Sequence, residues 1–239
     1  MRSKDVRNCS VGAFGFYLLM RFTLTGEMEN PPDFTINSNW FDIKLLVDVY
    51  ATNYCEEMSS DPYSKWMAKL FKQLGIVSNH LIHIGRVLGA AELELLENDK
   101  AGTKTLGNWC PDTQGKFYST KLPLSTMRMA AGFNKAASTF WCPKSAVIPL
   151  MELQNMVFPW VEASLERVKA SSLSNHSRMT SLPTALTFLE CMQELSIIVL
   201  QDAAAILALH LERAPHPLFT HIDLFRDPMF LVSIFVFEL

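Results

Sequence analysis

The sequence predicts a mainly α fold. Apolar residues recur at three- and four-residue intervals along several stretches, no two alternating runs are joined by a hairpin turn, and no internal repeat is present. With 49% apolar and 19% charged residues over 239 positions, the chain can bury a substantial core, which excludes bulk disorder.

The elements follow in order. Ala13, Phe14, Tyr17, Leu18 and Arg21 share a helical spacing and predict a helix from Cys9 to Phe22. Its apolar stretch Val11 to Met20 follows Arg2, Lys4 and Arg7, a layout shared with signal peptides. Arg21-Phe22-Thr23 stands where a small-residue cleavage site would be needed, so a buried helix is expected. Thr25 to Asn39, with Gly26, Pro31 and Pro32, reads as a loop. Trp40 and Phe41 lead into a second helix through Ile43, Leu46, Val47 and Tyr50. A third helix starts at Asp61-Pro62 and passes Trp66, Leu70 and Leu74 to end at Gly75.

Ser78 is the expected N-cap of a helix from Asn79, on which His83 and Arg86 share a face. A further helix ends near Asn108, the Tyr118 segment follows Gly115, and Pro123 to Gly132 is a short helix. Pro143 to Pro149 is irregular. Glu152 to Lys169 is helical, with Pro159 kinking or restarting it. Ser171 to Ser181 reads as an exposed loop. The longest periodic segment, Pro183 to Leu211, carries the stripe Leu186, Leu189, Met192, Leu195, Val199 and Ile206, and Pro215-His216-Pro217 stops it. Phe230 to Phe237 is too short to span a bilayer, and no transmembrane segment is expected.

The net charge of −3 gives no global attraction to nucleic acid, yet it is unevenly spread. Asp61 to Lys144 holds 11 Lys or Arg against six Asp or Glu, whereas the remainder holds 10 against 18. A basic middle of this kind can present a phosphate-facing surface, or it is ordinary surface scatter. The five cysteines are dispersed and form no C-x-x-C pair, so neither a zinc site nor a disulfide framework is predicted. No metal and no cofactor are expected.

One constellation carries chemistry. His83 precedes Arg86 by three residues, Trp109 follows Arg86 by 23, and Tyr118 follows Trp109 by nine. Cutting DNA through tyrosine needs a phenolic nucleophile, donors for the negative phosphorane and an acid for the leaving oxygen. An arginine fork grips two phosphate oxygens, histidine relays or donates a proton, and a tryptophan ring N–H reaches a further oxygen. Taken singly, each residue has an ordinary structural reading, with Trp109 a core anchor and Tyr118 half-buried. The joint spacing is what resembles the second half of a tyrosine recombinase active site.

Other stretches extend that resemblance: Cys9-Ser10-Val11-Gly12-Ala13 with Tyr17 and Arg21-Phe22, His80 to Gly89, Leu106-Gly107-Asn108-Trp109, Tyr118, and Leu122-Pro123-Leu124. They continue with Arg128, Ala131-Gly132-Phe133, Phe158-Pro159-Trp160, Leu200-Gln201-Asp202-Ala203-Ala204 and Pro215-His216-Pro217. Together they resemble the recombinase-like DNA-binding domain of the fungal centromere-binding kinetochore subunit and its Crypton-type transposon relatives, over residues 7 to 230. The resemblance implies a tyrosine-recombinase catalytic-domain-like helical fold that binds double-stranded DNA in the nucleus. It implies non-catalytic binding in the kinetochore branch and retained catalytic residues in the Crypton branch.

Tyrosine recombinases place a first catalytic Arg upstream of the segment that begins this chain, so an N-terminally truncated domain is expected. The expected organisation is a recombinase-like domain over 1–228, with a core to 150, a helical extension over 151–228, and a tail over 229–239 that reads as a gene-model artefact. The resemblance implies Tyr118, His83, Arg86 and Trp109 as the catalytic set, vestigial in a non-catalytic fold. Phosphate contacts are expected from His83, Arg86, Lys116 and Lys121, with Arg128 and Lys135 outlying. The expected function is DNA binding through the phosphate backbone by a catalytically degenerate domain. The alternatives are an active recombinase fragment that forms a tyrosyl-DNA intermediate, or a helical protein-interaction scaffold. A homodimer is the other expected partner arrangement, and no membrane partner is expected.

Overall fold

The computed structural model describes residues 1–48, 56–78, 83–96, 100–107, 123–134, 142–174, 182–209 and 216–234. Among these the helices are α1 (Ser10–Thr25), α2 (Ser60–Gln73), α3 (Ile84–Leu95), α4 (Lys100–Leu106), α5 (Leu124–Ala130), α6 (Met151–Val157), α7 (Val161–Ser174), α8 (Leu182–Leu209), α9 (Pro217–His221) and α10 (Pro228–Ile234). Short 3-10 turns connect some of them, and no strand occurs among the described residues. The protein is therefore mainly α, as the periodicity predicts.

The chain forms two compact units. One comprises Met1, Ser3–Asp5 and Glu57–Phe140; the other comprises Arg2, Val6–Glu56 and Trp141–Leu239. The first holds 11 Lys or Arg against eight Asp or Glu, and the second holds 10 against 16, so they are called the basic and the acidic unit below.

The acidic unit is organised around α8, which packs against α1, α6, α7 and α10. Leu189, Met192, Leu195 and Val199 of the predicted stripe are buried along it. By length and composition α8 is apolar enough to cross a membrane, yet Ser196, Gln201 and Asp202 are buried on it inside the fold, as a core helix tolerates when polar groups find partners. α1 begins where Cys9 Sγ accepts a hydrogen bond from Gly12 N at 3.4 Å. It ends at Gly26, whose φ of 63° suits a residue without Cβ and whose N–H donates to Phe22 O. α6 stops before Phe158-Pro159 because a proline disfavours helical backbone in the residue ahead of it; α7 restarts at Val161. Of the loop expected from Ser171 to Ser181, Ser171 to Ser174 instead continue α7, and 175–181 lie outside the described residues.

The second predicted helix, from Trp40 to Tyr50, does not form over its described part. Trp40 turns into the core, its ring near-parallel to Phe188 at 5.5 Å and tilted against Phe34 at 5.7 Å. Val47 is buried while Leu45 and Leu46 are exposed, so the apolar residues do not share a helical face. The backbone finds other partners: Tyr17 Oη donates to Leu45 O and accepts from Val47 N, each at 3.2 Å, and Asp48 N donates to Glu56 O at 2.9 Å. Aromatic packing and the tyrosine hydroxyl thus replace the helical ladder that the spacing suggested.

A buried charge cluster lies on α8. Asp202, fully buried, pairs with Arg2 Nη2 at 2.6 Å and with Lys144 Nζ at 2.9 Å. Gln201 accepts from Arg2 Nη1 and donates to Val147 O. The other carboxylate oxygen of Asp202 faces Gly12 on the first turn of α1: a Cβ on Gly12 would collide with it and come within 3.0 Å of Cγ. Gly12 and the Gln201-Asp202 pair, quoted above as family signatures, are thereby two sides of one packing contact.

The end of the acidic unit is also packed. Phe230 on α10 is fully buried, with its ring 5.3 Å from that of Phe225, and Ile234 is buried beside the same core.

Candidate nucleic-acid interface

In the basic unit, α3, α4 and α5 pack on one another. They carry three of the stretches singled out in sequence: His83 to Gly89, Leu106-Gly107, and the segment from Arg128 to Phe133. His83 is exposed and occupies the N-cap position, so it precedes α3 rather than lying within it; its carbonyl accepts from Val87 N at 3.1 Å. Residues 79–82 lie outside the described residues, and with them the predicted start of that helix after Ser78. Arg86 belongs to the first turn of α3. Arg128 is half-buried in the last turn of α5, where a cation complements the helix dipole.

Between the three helices lies a cleft of about 230 Å³, lined by Gly85, Gly89 and Leu93 of α3, Thr103 and Leu106 of α4, and Ala130 of α5. Gly85 and Gly89 are four apart on one face, and a Cβ at either would meet nothing within 4 Å. The cleft is thus open on its α3 wall, beside the turn that carries His83 and Arg86. Trp109, Lys116, Tyr118, Lys121 and Lys135 lie outside the described residues.

Ala131-Gly132-Phe133 forms the turn that closes α5. Gly132 has φ 79°, its N–H donates to Met129 O at 2.9 Å, and Phe133 N donates to Arg128 O at 2.9 Å. Phe133 is buried with Lys4 Nζ 5.1 Å from its ring centre, and Lys4 N donates to Ala131 O at 3.0 Å. The turn therefore fixes both the end of the Arg128 helix and the Ser3–Asp5 segment. Gly132→Ala forces a side chain into left-handed backbone and is expected to destabilise the basic unit by about 1–2 kcal/mol, read as a lower urea midpoint at unchanged slope.

Sequence reading missed two cationic groups. Lys144, counted within the basic middle, is buried against Asp202 in the acidic unit. Lys65, Lys69 and Lys72 are exposed on α2 and were not singled out, although their spacing of four and three residues was visible.

The architecture defines a helical protein of two units, one with a net positive and the other with a net negative charge. Residues 1–235 match domain 2 of the centromere DNA-binding protein complex CBF3 subunit, and the chain belongs to that family. No curated protein and no solved structure matches it.

Proposed function

We propose that this chain binds double-stranded DNA in the nucleus, chiefly through the phosphate backbone, as a tyrosine-recombinase-like domain that does not cut the strand. The observation that carries this reading is the segregation of charge: the basic unit has three more cations than anions, whereas the acidic unit has six more anions than cations. The units hold nearly equal numbers of cations, but the basic unit carries its 11 on 88 residues against 10 on 151, and a net positive surface is what a polyanion needs. The family's name, a centromere DNA-binding complex subunit, supports the same ligand.

In this reading His83, Arg86, Lys116 and Lys121 grip phosphates, with Arg128 and Lys135 as outlying contacts. Each arginine fork can donate to two phosphate oxygens and the lysines act as point charges. Contacts of this type position the duplex and read no bases, so affinity depends on salt far more than on sequence. These six phosphate contacts by themselves predict a fall of log K with log salt of slope about −5 between 50 and 200 mM, and any further contact steepens it. Fluorescence anisotropy with a random duplex checks this, and a flat response overturns the reading. A covalent protein–DNA adduct that disappears on Tyr118→Phe would overturn its non-cleaving half.

A further inference from the structure

We propose that the outer face of α2 is a second phosphate-contacting surface, made by Lys65, Lys69 and Lys72, for the sugar–phosphate backbone of duplex DNA. The inference rests on the DNA-binding reading above and adds residues to it.

The argument starts from helix geometry. Positions 65, 69 and 72 are spaced by four and three residues, so their side chains rise from one stripe, and all three are exposed. The buried residue of α2, Phe71, lies on another face of the helix. On an ordinary solvated helix such lysines alternate with glutamates that neutralise them. Here the single acid in Ser60–Gln73 is Asp61, placed in the first turn, where the helix dipole already favours an anion. Among the described residues none of the three lysines has an ion-pair or hydrogen-bond partner. Three cations at close spacing repel one another and stay unneutralised, an arrangement that a row of phosphates would relieve.

The dimensions fit such a row. Lys65 to Lys72 covers about 10 Å of helix axis, and one DNA strand rises about 3.4 Å per phosphate, so the stripe matches the axial run of about three phosphates. Charge complementarity alone would also suit an anionic membrane. Phe71 of the apolar face of α2 is buried while Tyr63 and Trp66 are exposed, so burial alone does not decide between the two polyanions. The duplex is the occupant chosen because the chain's family is a DNA-binding one and the basic unit carries the net positive charge.

The test uses the full chain and a random-sequence duplex, with anisotropy titrations from 50 to 200 mM salt. Lys65→Gln, Lys69→Gln and Lys72→Gln are combined in one variant, whose exposed side chains leave helical content unchanged by circular dichroism. A matched control removes three exposed cations from the acidic unit: Arg167→Gln, Lys169→Gln and Arg226→Gln. The α2 variant is expected to lose about 2 to 3 from the magnitude of the salt slope, with the largest affinity loss at low salt, while the control keeps the wild-type slope. An α2 variant with the wild-type slope overturns the proposal and leaves the DNA-binding reading intact. A control that loses as much as the α2 variant also overturns it, since net charge would then be the cause. Wild-type protein without salt-dependent binding removes the DNA-binding reading itself, and this proposal with it.

Discussion

Asp202→Ala is expected to destabilise the acidic unit by about 3–5 kcal/mol, the cost of removing one partner from a buried ion pair. The side chain is fully buried and is paired with both Arg2 and Lys144. Truncation would strand Lys144, itself 6% exposed, without its counter-charge, and would open a void against Gly12. Two comparisons separate the charge from the packing. Asp202→Asn keeps the shape beneath Gly12 and loses the charge, so it should cost most of the same amount. Asp202→Leu combined with Arg2→Met and Lys144→Met removes all three charges and should recover part of the stability, offset by the larger side chain against Gly12 and by the lost Arg2 donor to Gln201. Urea unfolding followed by circular dichroism reads all three. A triple variant no better than Asp202→Ala would mean that the cluster acts through packing rather than charge.

Phe230→Ala is the second large effect, expected to cost about 3–5 kcal/mol through lost apolar burial and the cavity left behind. Phe230 is fully buried and packs edge-on against Phe225, which continues to Phe219 at 5.0 Å and to Phe16 of α1 at 6.4 Å. The substitution therefore reaches the contact between the end of the chain and its first helix. For a chain of this size it should lower the melting temperature by roughly 6–10 °C. Phe230→Leu, which refills much of the volume, should lower it far less. A melting temperature unchanged by Phe230→Ala would show that residues after 228 contribute nothing to the core.

Local signals were legible where the chain's own chemistry decides the outcome. The periodicity placed α1, α2, α5 and α8, and the glycines that end three of the helices, Gly26, Gly75 and Gly132, all have positive φ. Pro159 marked the restart between α6 and α7. What escaped notice depends on distant partners. Trp40 to Asp48 looked helical because Phe188 and the Tyr17 hydroxyl, which hold the segment otherwise, are remote in sequence. Asp202 within an apolar stripe was a sign that a counter-ion must exist, but Arg2 lies 200 residues away and nothing in the spacing identifies it. Of the proposed phosphate contacts, sequence put His83 and Arg86 three apart, and folding adds that the helix they open packs against the one that carries Arg128. The lysines of α2 were overlooked because a charged helix face is ordinarily solvated surface.

The packing of α1 against α8 also sets a schedule for synthesis. The acidic unit is discontinuous: Leu18, Leu19 and Phe22 emerge from the ribosome early, yet the helix that covers them ends at Leu209. At about 5–20 residues per second the interval is roughly 10 to 40 s. Within it the whole of Glu57–Phe140 is made, before α8 has begun. The nascent chain therefore carries an uncovered apolar helix, the kind of surface that promotes aggregation, until α8 arrives.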